Sequence, residues 1–438
     1  MPTERNIQRR SFDNRLVLVT ERVPTVRSAT LGIWVKMGSR FEAPGQAGIS
    51  HFIEHMLFKG TRTRTARQIA FAIDAMGGQL DAFTSKEQAC YYANVLDVHV
   101  GDAFELLADI VLEPLFDATE MERERAVILE ELAAVDDSPE ELLWEEFSRT
   151  FWLDHPLGIP VLGSRETVEA LAREDLAAFF RRAYEPANVV IAASGNLEHE
   201  ELEGYVAERF GALTNRGAAA ELSPPRPFQH FRILGKEELE QVHVAVGCPA
   251  PAATDARRYA VFVLNAVLGG SVSSRLFQRI REEQGLAYNV YSALETYFDA
   301  GCIWIYAATR PDAAVTVLDL ILEDLAVLSE LPVPGEELSR MKENLKGNVM
   351  LGLESTAGRM SSLAQQEIYF GRAYDMDEII AGIDSVTAEQ VQALARELFR
   401  DEGIAVDLLA RRQVAAELGE HFADGLALPG GGRLSPAA

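Results

Sequence analysis

The chain has 438 residues, 48% hydrophobic and 25% charged, too long for one ordinary core and balanced like a globular enzyme of two or more domains. Its 67 acidic against 41 basic side chains leave a formal charge of −26, a field that repels nucleic acid and attracts cationic partners. No apolar run approaches the ~20 residues of a membrane span, the first ten positions are polar with no signal-peptide core behind them, and Cys90, Cys248 and Cys302 form no C-x-x-C pair. A cytoplasmic chain beginning near Met1 is expected, with no membrane or nucleic-acid partner, no disulfide framework and no thiolate metal site.

In chain order, hydrophobic periodicity predicts strands near 15–19 and 30–35, then a helix containing His51, Glu54 and His55, with Ser50 as its cap and Gly60 just past its end. A helix over 66–76 is broken by Gly77-Gly78, and strands follow near 79–83 and 89–95. Helices are predicted at 102–112, 119–135, 139–151 and 167–184, then a strand at 189–193 and a helix at 199–210. The Pro- and Ala-rich stretch between 217 and 227 reads as an inter-domain linker.

Beyond it the same order returns. Strands lie near 231 and 242–246, helices at 255–268 and 273–283, strands at 289–294 and 302–307, helices at 313–328, 336–353, 356–370 and 387–399, and a closing strand at 404–408. The expected architecture is therefore α+β, two homologous domains that each set a mostly antiparallel sheet against a helical layer. Their predicted limits are 1–214 and 231–424, joined by a linker over 215–230 and followed by a disordered tail over 425–438.

One turn of helix carries the chemistry. Positions i, i+3 and i+4 are neighbours on a helix surface, so His51 and His55 can grip one metal while Glu54 reaches its water. This is the order H-x-x-E-H of a class of zinc proteases. A catalytic zinc takes three protein ligands, and the glutamate-rich helix 119–135 is where the third is sought. Glu124 and Glu131 lie two turns apart on one face with Val127, Ile128 and Val135, whereas Glu130 is about 100° further round. An inward carboxylate is costly unless it is paired or bound to a cation, which favours Glu131 as ligand and Glu124 as its support.

The run ERAVILEE ending at Glu131, 76 positions after His55, resembles the downstream half of the zinc motif of the pitrilysin and mitochondrial-processing-peptidase family. Similarity extends from LGIWVKMGSR at 31–40 to GLAY at 285–288. The resemblance implies a clam-shell of paired homologous domains around a chamber, one Zn²⁺ per chain on His51, His55 and Glu131, and Glu54 as base. It also implies that Arg281 and Tyr288, which flank a helix end and the strand after it, act as a pair on the substrate carbonyl. The family uses a strand like GQLDAFT at 78–84 to take up an extended peptide, which assigns Asp81, Ala82 and Phe83 to substrate binding. The family commonly has Asn where this chain has Asp81, an acceptor without a donor.

The stretch GGSVSSRLF at 269–277 lacks the G-x-x-x-x-G-K-[ST] of a phosphate loop and also the longer glycine-rich loop of the family's non-catalytic partner subunits. The expected function is a zinc endopeptidase acting on short or unfolded, basic peptides, as a homodimer or with a related subunit, because one chain supplies two of the four domains in the family's closed shells. The rival reading is a non-catalytic scaffold or assembly subunit of the same fold.

Overall fold

The computed structural model describes residues 5–217 and 222–436; positions 1–4, 218–221 and 437–438, which include parts of the expected linker and tail, lie outside them. Packing groups the chain into two compact units, and neither is one continuous segment. The first holds Met1–Ala134, Ile159–Leu222 and Met350–Asp375, and the second holds Val135–Gly158, Ser223–Val349 and Met376–Ala438. The sequence reading divides the chain once, at the linker, whereas the chain crosses between its units repeatedly.

The first unit is built on a six-stranded sheet of order β1-β2-β6-β3-β5-β4. Its strands are β1 (Asn6–Ser11), β2 (Val17–Arg22), β3 (Ser28–Val35), β4 (Gln79–Thr84), β5 (Ala89–Leu96) and β6 (Val189–Gly195), antiparallel except for the parallel β2 and β6 pair. Central β3, with the sequence SATLGIWV, is buried along nearly its whole length, the pattern of a strand covered on both faces. On one face Leu31 and Ile33 meet a core shared with α1 (Ile49–Leu57), α2 (Ala66–Ala75) and α3 (Val100–Leu112), which contribute Phe52, Ile69 and Phe104. On the other, Trp34 joins Val19, Val190 and Ala192 against Met360, Leu363 and Ala364. Those last three belong to the helix Thr356–Phe370, capped by Ser355, whose hydroxyl accepts the Gly358 N–H. Burying its Met and Leu contributes about 1.5–3 kcal/mol each.

That helix lies close to the sheet because β3 carries Gly32, where a Cβ would stand 2.7 Å from Met360 Sδ. Buried Glu21 on β2 accepts bonds from Arg5 and from Arg359 of the helix, which fixes the contact.

The second unit repeats the plan with five strands in the order β7-β11-β8-β10-β9. These are β7 (Phe231–Lys236), β8 (Val242–Ala250), β9 (Ala287–Thr296), β10 (Gly301–Thr309) and β11 (Ala405–Arg411), again with one parallel pair, β7 and β11. One face packs on the helices Arg258–Leu268, Ala314–Glu330 and Ala388–Leu398. The other face is covered by α5 (Pro139–Phe151), which follows α4 (Ala118–Asp137) in the chain. Leu143, Phe147 and Phe151 of α5 pack against Ala245, Trp304 and Tyr306. Here too a central glycine makes room, since a Cβ on Gly247 would stand 2.3 Å from Phe147 Cζ.

Three local expectations change. The helix predicted at 167–184 is two, Arg165–Ala170 and Arg173–Ala183, because Ala172 is extended and gives its N–H to Asp175, which starts a new helix. Strand β1 and the helices Met376–Asp384 and Arg412–His421 add to the elements that periodicity predicts. The described part of the expected disordered tail is a small ladder, β12 (Leu426–Ala427) on β13 (Arg433–Leu434), held where Gly430 and Gly432 donate to the Asp401 carboxylate. Among the described residues no helix is long and apolar enough to cross a membrane.

Candidate metal centre

Helix α1 turns Ile49, Phe52, Ile53 and Met56 into the core of the first unit and leaves His51, Glu54 and His55 half-buried on the opposite side. Its start is not capped by Ser50, which lies buried within the first turn. The cap comes from Glu42, whose two carboxylate oxygens accept the N–H groups of Gly48 and Ser50, each at 2.8 Å. A side chain six residues before Gly48 thus satisfies the orphan donors of the helix end. Burial pushes the Glu42 carboxyl up to about 7 even against these bonds. Gly48 is left-handed, φ +92°, and a Cβ there would meet Leu162 O at 2.5 Å. At the far end the helix closes on Phe58, and Gly60 lies two residues beyond, with φ +122°.

The two imidazoles stand edge to face, ring centroids 4.6 Å apart. From α4, Glu131 Oε2 lies 3.7 Å from His51 Nε2 and 3.6 Å from His55 Nε2. Glu124, one helix face with it, sends Oε2 to within 3.1 Å of His55 Nδ1 and Oε1 to within 2.8 Å of Lys59 Nζ. The inward residues of α4 are Met121, Glu124 and Ile128, while Val127 is exposed, so the apolar stripe is narrower than its sequence suggests.

The donor set fits a zinc ion. Facing a carboxylate, His55 Nδ1 carries the ring proton, which leaves Nε2 as a lone pair. That lone pair looks at a Glu131 oxygen which, though buried, has no hydrogen-bond donor among the described residues. Two electron-rich atoms at this distance repel unless a cation lies between them. Tetrahedral bonds of about 2.1 Å set ligand atoms about 3.4 Å apart, close to what is seen. Burial, and then the neighbouring His55, push His51 down to about 4, so it is neutral at pH 7 as a ligand must be. His51, His55 and Glu131 are also the one group among the described residues whose ligand atoms cluster closely enough to hold a metal.

Glu54 is raised from the ordinary carboxylate range, mainly by burial, against the opposing bond from Thr84 Oγ1 at 2.5 Å. Thr84 ends β4, the strand at the free edge of the sheet. Asp81, Ala82 and Phe83 therefore lie on an edge strand. The Ala82 N–H donates to its neighbour Asp81 Oδ1 at 2.8 Å, which places it on the open side of the ladder, because hydrogen bonding alternates along a strand. Asp81 Oδ2 accepts from Tyr92 at 3.3 Å, and Phe83 stacks edge-on to Trp34.

In the second unit, Arg281 sits in a wide-turned π-helix, Phe277–Glu283, shorter than the helix predicted over 273–283. Gly285, at φ +61°, turns the chain into β9 so that the Arg281 guanidinium lies 4.2 Å over the Tyr288 ring. Phe277 flanks it at 4.7 Å, Glu282 is an ion-pair partner at 3.6 Å, and Tyr288 is 79% exposed. The arginine and tyrosine thus form a pair, with the phenol presented outward.

Comparison with known proteins identifies the family. Residues 17–165 match the family described as Insulinase (Peptidase family M16), and residues 170–345 match the Peptidase M16 inactive domain. An uncharacterized zinc protease of Mycobacterium leprae is 44% identical over 89% of this chain and 88% of its own length. The uncharacterized zinc protease YmxG of Bacillus subtilis is 40% identical over 90% of this chain and 96% of its own. The chain belongs to peptidase family M16, the pitrilysin family. A protease from Helicobacter pylori shares the fold of this M16 chain with a TM-score of 0.87 at 22% identity, covering 93% of this chain and all of that one. The M16 assignment makes the chain a member of a metallopeptidase family whose relatives are named for zinc and proteolysis.

Three contributors escaped the sequence reading: Glu42 on the helix start, Lys59 on Glu124, and Thr84 on Glu54. Only Lys59, one turn after His55, had a local spacing that could have revealed it.

Proposed function

We propose that this M16 chain is a zinc-dependent endopeptidase of the processing-peptidase type, holding one Zn²⁺ through His51, His55 and Glu131. The observation that supports it most is the donorless Glu131 oxygen facing two imidazole nitrogens at 3.6 and 3.7 Å. When bound, zinc would lower the pKa of a water to about 7 and polarise a carbonyl. Glu54, already inclined by burial to hold a proton, takes it from the attacking water and returns it to the leaving amine. Thr84 aims that carboxylate, and Glu124 fixes the His55 ring through Nδ1.

The peptide adds to the open edge of β4 through backbone bonds, displacing Asp81 from the Ala82 N–H, with Phe83 alongside. Arg281 and Tyr288 are assigned, on the family resemblance, to the substrate carbonyl oxygen. Short or unfolded basic peptides suit the −26 charge, and the reading includes a cytoplasmic enzyme that works as a homodimer or with a related subunit. A non-catalytic scaffold is not favoured, since nothing in such a role calls for two imidazoles converging on a carboxylate oxygen that has no hydrogen-bond donor among the described residues.

The test is metal analysis of the purified protein, then cleavage of a peptide library before chelation, after chelation and after zinc is restored. One zinc per chain with activity lost and regained is the expected result; a protein without stoichiometric metal, or one whose cleavage ignores chelation, sinks the proposal. Basic and acidic peptides cut equally well at low salt would remove the charge preference alone.

A further inference from the structure

Helix α1 bears the candidate ligands, yet its N-terminus is tied to distant chain rather than to its own sequence. The segment Gly38–Glu42 makes the tie at both of its ends. At one end there is no room between it and the turn joining β4 to β5, because a Cβ on Gly38 would stand 2.2 Å from Ser85 O. Ser39 N donates to Ser85 O at 3.1 Å and Arg40 N to Lys86 O at 2.7 Å. The buried Arg40 guanidinium reaches Glu87 at 2.7 Å, and Glu87 also accepts from Tyr369 at 3.0 Å. At its other end Glu42 holds the Gly48 and Ser50 amides of α1.

These contacts close a ring. From α1 the path runs through the Glu54 to Thr84 bond into β4, round the 85–88 turn, across Ser39 and Arg40, and back through Glu42 to α1. Rotation or translation of the helix start would strain the bonds from Glu42 to Gly48 and Ser50 and the bond between Glu54 and Thr84. We propose that Glu42 is a positioning residue for the metal centre, setting the rotation of α1 that aims His51 and His55 at Glu131 and keeps Glu54 at the edge strand. The inference rests on the zinc peptidase reading for what the helix holds.

A carboxylate is required because two N–H groups point at it. In Glu42→Gln one acceptor becomes an NH₂ group that opposes an amide donor, while the size of the side chain is kept. Zinc affinity measured by competition with a chromophoric chelator should fall about 10-fold or more, the scale of an outer partner that orients ligands. At saturating zinc, kcat on a cleaved peptide should fall about 10-fold with KM within twofold of the parent. A purely structural cap would lower the melting temperature and leave both ratios near one, so affinity and kcat within twofold of the parent overturn the proposal. Should Glu42→Gln not fold, Glu42→Asp, one methylene too short to reach both amides, is judged by the same thresholds. A parent that binds zinc but cleaves nothing retires the peptidase reading while the affinity ratio still decides on Glu42. A parent that binds no zinc overturns both.

Discussion

Strand for strand, β2-β6-β3-β5-β4 in the first unit recurs as β7-β11-β8-β10-β9 in the second, and a helix follows the second strand of each repeat. In the first unit that helix carries His51, Glu54 and His55; in the second it is Arg258–Leu268, RYAVFVLNAVL, with no histidine or carboxylate and with seven buried apolar residues. The second unit instead places its unusual local structure one element later, in the π-helix of Arg281. A duplicated scaffold therefore does not duplicate its chemistry. The polar side chains His55 and Glu54 of α1 are taken up by Glu124 and Thr84 from outside the helix, whereas the second unit's helix offers apolar, mostly buried residues instead.

The sharpest way to break the comparison is at Glu54. Glu54→Gln should retain zinc and lose about 10²–10⁴-fold in kcat, read by metal analysis beside peptide cleavage; retained turnover would refute the base assignment. In the second unit, Arg281→Lys keeps the charge but not the planar stacking on Tyr288, and should cost about 10–100-fold in kcat/KM with zinc content unchanged. If Arg281→Lys changed zinc content as well, the assignment of Arg281 to the substrate carbonyl rather than the metal would be wrong.

A third experiment concerns pH. His51 is held down to about 4 against an ordinary value of 6.5, so the metal-free protein has this contribution in full above pH 6.5 and loses it as the pH falls toward 4. The loss is on the order of 3 kcal/mol. Urea unfolding of the metal-free protein between pH 7 and 4 should show that slope, and His51→Gln should flatten it; an unchanged slope excludes His51 as its source. The smallest effect compares the two central glycines. Gly247→Ala meets the rigid Phe147 ring at 2.3 Å and should destabilise by about 1–3 kcal/mol, whereas Gly32→Ala meets the movable Met360 Sδ at 2.7 Å and the Trp34 Nε1 at 2.8 Å, a less severe approach that should cost less. Equal losses in thermal unfolding would show that the two sheets pack their outer helices alike.

Much of this was legible in the residues. Periodicity located most strands and helices, and the seven-residue spacing of Glu124 and Glu131 put both on one face of α4, where the structure places one beside His55 Nδ1 and the other before both Nε2 atoms. What escaped shares one physical cause. Periodicity reveals which face of an element is apolar but not which element it meets, so the helices 139–151 and Thr356–Phe370 were found but their partners were not. Strand β1, NIQRRS, has no alternation because it is a solvated edge paired on one side. The Glu42 cap has no sequence signature because its reach is set by the fold of the intervening loop rather than by helical spacing.

The placement of Thr356–Phe370 has a consequence for how the protein is made. Val17, Val19, Trp34, Cys90, Val190 and Ala192 form an apolar floor whose cover is encoded more than 150 residues after the last strand of that sheet. At 5–20 residues per second, a ribosome that has finished the linker needs roughly 7–28 s more to deliver it. For that interval the nascent chain displays a sticky surface to its surroundings, and a chaperone or early collapse must shield it until the late helix arrives.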